Sequence, residues 1–277
     1  MSARSRALIN LLSLSALSIA GCSMQSVSEF AEDNQMSVHL VEGVGFSHLV
    51  IQRAGPPSGN RLHVYIEGDG IPWTGNLPSA DPTPRDTLAL RLASRDSNDI
   101  AYVARPCYFG QTGAAGCSPK IWTSHRYGEE VLLSMATAIE HMRLPRHTEI
   151  VLIGHSGGGT LAALLESRVE GVVGVVSVAA NLDIDAWVEV RGYDPLVGSL
   201  NPISQIRNPD IPHWQFVGAS DTTVPPSSSA DYSRIQPNVE LIRYGDFGHV
   251  CCWEEEWPVI LGHISDRLAD LPSSSSR

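Results

Sequence analysis

Short apolar runs, separated by turns rich in glycine and proline, recur along the whole chain. Ile150–Ile153 and Gly171–Ala179 are almost wholly apolar and rich in β-branched residues, the pattern of strands buried on both faces in a parallel sheet. Leu62–Ile66, Ile100–Ala104, Trp214–Val217 and Val239–Tyr244 read as further strands. Ser37–Leu40 and Leu49–Arg53 flank a Gly43-Val44-Gly45 segment and predict a hairpin at the sheet edge. Between the later strands the period changes to that of helices. His125–Met142 carries Val131, Leu132, Met135, Ile139 and Met142 at inward spacing, and Arg85–Arg95, Thr160–Leu165 and Trp257–Leu271 complete the helices. Pro225–Ile235 holds a serine-rich turn and a short helix, whereas Gly75–Pro84 and Asn181–Asp210 show no strong period. About eight strands, the later ones alternating with helices, predict the α/β class: one mostly parallel central sheet covered by helices on both faces.

Polarity changes sharply at the N-terminus. Arg4 and Arg6 precede a largely apolar stretch, Ala7–Ala20, and then Gly21-Cys22. That order reads as an export signal over residues 1–21, too short for a membrane span. A cysteine just after the small residues Ala20 and Gly21 resembles a bacterial lipobox. The resemblance implies cleavage before Cys22 and lipid on its thiol, and Ser23 in place of aspartate favours sorting to the outer membrane, facing the periplasm. A secreted protein cut near the same place is the plainer alternative. Residues 22–34 then read as a polar tether, 35–271 as a single domain with 181–210 as a small cap, and 272–277 as a frayed tail. Removing Arg4 and Arg6 takes the formal net charge from −11 to −13, and with no basic patch to offset it nucleic acid is a poor partner. Four cysteines remain after Cys22, in a compartment that permits disulfides. Cys107 with Cys117 closes a short glycine-rich loop and is the preferred pair. Cys251 and Cys252 then either bond to one another or stay reduced, and a cross-link of the Cys107–Cys251 kind stays open.

The chemistry is concentrated after Ile150–Ile153, where Gly154-His155-Ser156-Gly157-Gly158 leads straight into a helix. A G-x-S-x-G between strand and helix sets the serine on a strained corner, with its hydroxyl above the carboxyl edge of the sheet. A serine hydroxyl needs a base, and the base an orienting group. Asp221 and His249 follow later strands, 65 and 28 residues apart in the order Ser156, Asp221, His249, and parallel strands bring all three to one edge. Asp246, Asp183 and Asp185 are rival acids. His155 reads as packing rather than as the base, and His125, His141 and His147 as structural. The oxyanion donors fall to the N–H of Gly157 and to one from Gly68-Asp69-Gly70, that of Asp69 or of Gly70, with the Asp69 side chain facing solvent. Glu67 reads as a gate, a supporting residue or a solvated loop acid. Trp73, Trp122, Trp187 and Trp253 either line an aromatic pocket or cover core edges. No metal cluster, H-E-x-x-H or phosphate loop is found, so no cofactor is expected.

These residues resemble the α/β-hydrolase superfamily through the Gly154–Gly158 elbow, Gly218-Ala219-Ser220-Asp221-Thr222-Thr223-Val224-Pro225 and Gly248-His249. More narrowly, the chain is similar to a family of bacterial α/β-hydrolase lipoproteins. It shares with them Tyr65–Gly70, Ala104-Arg105-Pro106-Cys107 with Cys117, Ala180–Asp183 with Trp187, Pro195-Leu196 before Ser199–Pro202, and His249 with Cys251-Cys252-Trp253. The resemblance spans about residues 35 to 265 and implies the α/β-hydrolase fold with ester, thioester or amide hydrolysis. Glu67-Gly68 stands where many lipases have His-Gly. The leading expectation is a serine esterase acting outside the cytoplasm on small or medium acyl chains. An amidase or peptidase with the same triad, and a noncatalytic envelope binding protein on this scaffold, are the alternatives.

Overall fold

The computed structural model describes residues 26–55 and 59–270. The export signal, Cys22 and the tail expected over 272–277 lie outside the described residues. Residues 26–33 form helix α1, with Val27 and Ala31 buried in the core. Most of the stretch read as a polar tether is therefore helical and packed, because its apolar residues fall on one helical face.

The main sheet has eight strands: β1 (Ser37–Glu42), β2 (Ser47–Arg53), β3 (Arg61–Ile66), β6 (Asp99–Val103), β7 (Glu149–His155), β8 (Val172–Val178), β9 (His213–Gly218) and β10 (Val239–Tyr244). Their order is β1-β2-β6-β3-β7-β8-β9-β10. β2 runs antiparallel to both neighbours and every other pairing is parallel. The predicted hairpin is β1–β2, at one edge. Burial follows position in the sheet: β6, β7 and β9 are almost wholly buried, while β1 and β10 at the edges alternate with exposed residues. Two very short strands, β4 (Trp73–Thr74) and β5 (Leu77–Pro78), make a separate hairpin in the loop that showed no period.

Helices α2 (Leu88–Ser94), α3 (Glu129–Met142), α4 (Gly157–Leu165), α5 (Ile184–Arg191), α6 (Tyr232–Ile235) and α7 (Trp253–Ala269) complete the chain. α3 packs with α4 on one face of the sheet and α2 with α7 on the other. α4 is buried along its whole length, which is why Gly157–Leu165 shows no polar face in sequence. The final helix begins at Trp253, earlier than Trp257. Trp253, Trp257, Ile260, Ile264 and Leu268 share one buried face, and that burial carries the helix through Pro258. This is the α/β-hydrolase fold. The preferred cysteine pair, Cys107–Cys117, is present with Cα atoms 5.6 Å apart, and of the alternatives for the other two the adjacent Cys251–Cys252 bond is the one formed.

Candidate active site

β7 ends at His155, and Ser156 adopts φ 54° and ψ −127° before α4 begins. A non-glycine residue held at such angles stores roughly 1–3 kcal/mol of strain, which the packing around it must hold. The neighbouring glycines show what that packing requires. A Cβ on Gly154 would overlap the Gly158 backbone, and one on Gly158 would strike the carbonyl oxygens of Ile66 and Glu67. Strand, helix and the end of β3 thus meet too closely for any side chain there.

The loops after β9 and β10 bring the partners. His249 Nε2 lies 3.0 Å from the Ser156 hydroxyl oxygen, and His249 Nδ1 lies 2.8 Å from Asp221 Oδ2. A buried carboxylate can only accept, so Nδ1 carries the proton and Nε2 accepts from the serine. Asp221 is itself fixed: its other oxygen accepts the backbone N–H groups of Thr223 at 2.8 Å and Val224 at 2.9 Å. The rival acids are elsewhere: Asp246 is exposed, Asp183 caps α5 by accepting from Ala186 N, and Asp185 accepts from Asn201. Burial lowers the His249 imidazole from its ordinary value; the Asp221 hydrogen bond works against this, and His155 adds to the lowering. The ring therefore rests neutral near pH 7, as a base must.

His155 is packed, as its alternation suggests, but it also has a partner. Its Nε2–H donates to the His249 carbonyl at 2.9 Å, the two rings lie 4.9 Å apart, and its Nδ1 faces Glu67 Oε1 at 3.7 Å. Glu67 is a buried acid rather than a solvated one. It accepts the N–H groups of Gly68 and, in α2, of Ala89, each at 3.1 Å.

Asp69 departs most from expectation. Its side chain does not face solvent: Arg105, Arg126 Nη1 at 2.8 Å and the Tyr127 hydroxyl at 2.7 and 2.8 Å all donate to the carboxylate. Burial alone would raise this carboxyl, but the Arg126 and Arg105 charges and the Tyr127 hydroxyl together outweigh it and hold it at about 2. Nothing in the local sequence pairs Asp69 with residues so distant; only the Arg105 and Tyr127 types, next to predicted loops, hint at it. Gly157 is the first residue of α4, so its N–H has no acceptor within the helix. A Cβ on Gly157 would overlap the Asp69 carboxylate, so the two are in direct contact across the mouth of the elbow.

The tryptophans do not build one aromatic pocket. Trp187 donates to Thr223 O at 3.0 Å, behind Asp221, and Trp253 to Gly248 O at 3.1 Å, behind His249. Each braces a loop that carries one partner of Ser156. Trp122 is buried, and Trp73 is exposed on β4. Among the described residues, no group of three or more histidine, cysteine or acidic side chains is placed to hold a metal ion.

A strained serine at a strand–helix corner, bonded through histidine to a buried aspartate on the carboxyl edge of this sheet, is the site of a serine hydrolase. No protein-family model and no curated protein matches the chain. Solved structures match it in fold. A membrane phospholipase A described as a bacterial virulence factor aligns over 96% of this chain and 99% of its own, with 17% identity and a TM-score of 0.57. An esterase of Pyrococcus furiosus aligns over 86% and 93%, with 16% identity and a TM-score of 0.61. An acylaminoacyl peptidase of Pyrococcus horikoshii covers 86% of this chain and is itself covered over 42%, with 11% identity and a TM-score of 0.61.

Proposed function

We propose that this protein cleaves carboxylic esters through an acyl-enzyme on Ser156. The observation that carries the reading is the unbroken hydrogen-bond relay from Ser156 through His249 to Asp221. Ser156 Oγ attacks the carbonyl carbon while its proton passes to His249 Nε2. Asp221 holds the tautomer and stabilises the imidazolium. The tetrahedral oxyanion lies on the Gly157 N–H and on one from the Asp69–Gly70 stretch. Its collapse expels the alkoxide, which takes the proton from His249. Water, activated by the same imidazole, then releases the acid and restores Ser156. Segment 181–210 acts as a small cap. Its Arg191 donates to Thr222 O, and its Gly198 and Leu200 N–H groups bond to Ser124 and Tyr127 carbonyls, which supports a span across the site.

The esterase and phospholipase that share the fold support an ester substrate, whereas the acylaminoacyl peptidase on the same fold supports the amide alternative; rates on matched ester and amide substrates separate the two. Lipidation at Cys22, with the domain on the outer membrane facing the periplasm, belongs to the same reading. It rests on the basic, apolar and Ala20-Gly21-Cys22-Ser23 sequence. Labelling the oxidised protein with a fluorophosphonate tests the activity. A stoichiometric adduct is expected on Ser156, absent from Ser156→Ala and much slowed in His249→Ala. A folded wild-type protein that stays unlabelled overturns the reading and favours a binding role.

A further inference from the structure

Several side chains that no step of this reaction touches converge on one loop residue beside the nucleophile. Resting on the serine-hydrolase reading, we propose that Arg105, Arg126, Tyr127 and Tyr108 form a positioning cradle for Asp69. The cradle holds the Asp69 backbone N–H, rather than that of Gly70, as the second oxyanion donor opposite Gly157.

The choice between the two N–H groups follows from where each peptide unit is anchored. The Gly68 N–H is taken by Glu67 Oε1 at 3.1 Å, and the Ile71 N–H by Pro82 O at 2.9 Å. Between them, the Tyr108 hydroxyl donates to the Asp69 carbonyl at 2.8 Å, which fixes the plane of the peptide leading to Gly70. Gly70, at φ +63°, lies against Pro82 and Pro84, where a Cβ would strike the Pro82 carbonyl. Gly68 lies against the nucleophile instead: a Cβ there would stand 3.2 Å from Ser156 Cβ and 3.6 Å from its Oγ. The peptide joining Gly68 to Asp69 is therefore the one at the reacting centre, and its N–H is that of Asp69.

The carboxylate then acts as a spacer. It occupies the place a Gly157 side chain would fill, so it sets the separation between the two donors. Its own position is set by Arg105, Arg126 and Tyr127, and these are anchored in turn. Arg105 Nη2 donates to Arg126 O at 2.6 Å and Arg126 Nε to Thr123 O at 2.7 Å, while the Arg105 guanidinium lies 5.3 Å from the Tyr127 ring centre and 5.6 Å from that of Tyr108. Tyr108 sits within the loop closed by Cys107–Cys117. A lone carboxylate here would repel the developing oxyanion; two buried guanidiniums around it reverse the sign of the local charge.

The test compares acylation by a carboxylic ester with that by its thionoester, whose sulfur accepts weakly from backbone N–H groups. Asp69→Asn keeps the side-chain shape and the backbone N–H but breaks the cradle. It should lower kcat on the oxygen ester by about 10²-fold, the scale of one lost oxyanion donor, with KM little changed. The thionoester rate should fall far less, so the oxygen-to-sulfur ratio collapses. Tyr108→Phe removes one hydroxyl and should compress the ratio by about tenfold, the scale of one hydrogen bond. Arg105→Lys should recover part of the ratio lost in Arg105→Met. An equal fall on both substrates, an unchanged ratio, or a faster Asp69→Asn enzyme overturns the proposal; the last would mean that the cradle acts by net charge alone. If Asp69→Asn fails to fold, Tyr108→Phe decides. Wild-type protein labelled by fluorophosphonate, with unchanged ratios in folded variants, removes this inference only; unlabelled wild type removes it together with the esterase reading.

Discussion

His155 shows how one side chain can be read correctly by sequence and still be incompletely understood. Alternation along β7 turns it away from the Ser156 hydroxyl, which excludes it as the base. What alternation cannot show is that the His249 loop, from the far end of the chain, returns to place its carbonyl 2.9 Å from His155 Nε2. On the proposed mechanism His155 is thus a positioning residue for His249. His155→Phe keeps an aromatic ring but loses that N–H and should lower kcat/KM by about tenfold. It should also move the pH profile. On the proposed mechanism activity needs neutral His249, whose pKa burial lowers from its ordinary value, so kcat/KM falls on an acid limb displaced to lower pH than that of a free imidazole. His155 contributes to the lowering, so its removal should shift the limb upward. A pH–rate profile that keeps its midpoint would argue against a coupling between the two rings.

At the scale of elements, α7 is the instructive case. Its sequence offers a natural start at Trp257, with Pro258 close behind in the first turn, where a missing N–H costs nothing. The fold starts it at Trp253 instead. Trp253 and Trp257 are both fully buried, four residues apart on one face, and Trp253 also reaches back to brace Gly248. Glu254 in the new first turn pairs with Arg91 and Arg95, which ties α7 to α2. Burying a tryptophan and forming these pairs offsets a proline inside the helix, a defect of about 3 kcal/mol by itself. Pro258 is exposed. Pro258→Ala should therefore restore a hydrogen bond to the Glu254 carbonyl and raise stability by about 1–3 kcal/mol in a denaturant or thermal melt, with catalysis unchanged. A melt that does not move would mean that the chain before Pro258 has adapted fully to it.

For the whole molecule, the order of strands assembles the site. β7, β9 and β10 deliver Ser156, Asp221 and His249 to one edge of the sheet, although 93 residues separate the first from the last. The N-terminal boundary has consequences at the same scale. With residues 26–33 helical and Val27 and Ala31 buried, only four residue steps separate Cys22 from the described helix. On the proposed lipidation, covalent geometry limits the distance between Cys22 and the domain to about 14 Å, far less than a tether of residues 22–34 would allow. Cys22→Ala should move the protein from the membrane to the soluble fraction and leave turnover of a soluble ester intact. Persistence in the membrane fraction would argue for a second attachment, and loss of soluble turnover in a folded protein would make the tether more than an anchor.

Features set by local pattern are legible in the chain of residues itself. The apolar runs, the elbow around Ser156 and the order of Asp221 and His249 depend on backbone sterics and on spacing along the chain, and these suffice for the fold class and for naming three residues that the fold brings together. A solvent-facing Asp69, a late start for α7 and a polar tether over residues 22–34 are where local pattern misleads, because each depends on a partner remote in sequence. A carboxylate beside an elbow looks exposed until Arg105, Arg126 and Tyr127 close around it, and such pairings are chosen by the desolvation cost of leaving a buried charge alone. That cost exists only once the chain has packed, so it falls to the tertiary structure to decide which ordinary-looking loop residues hold the reacting groups in place.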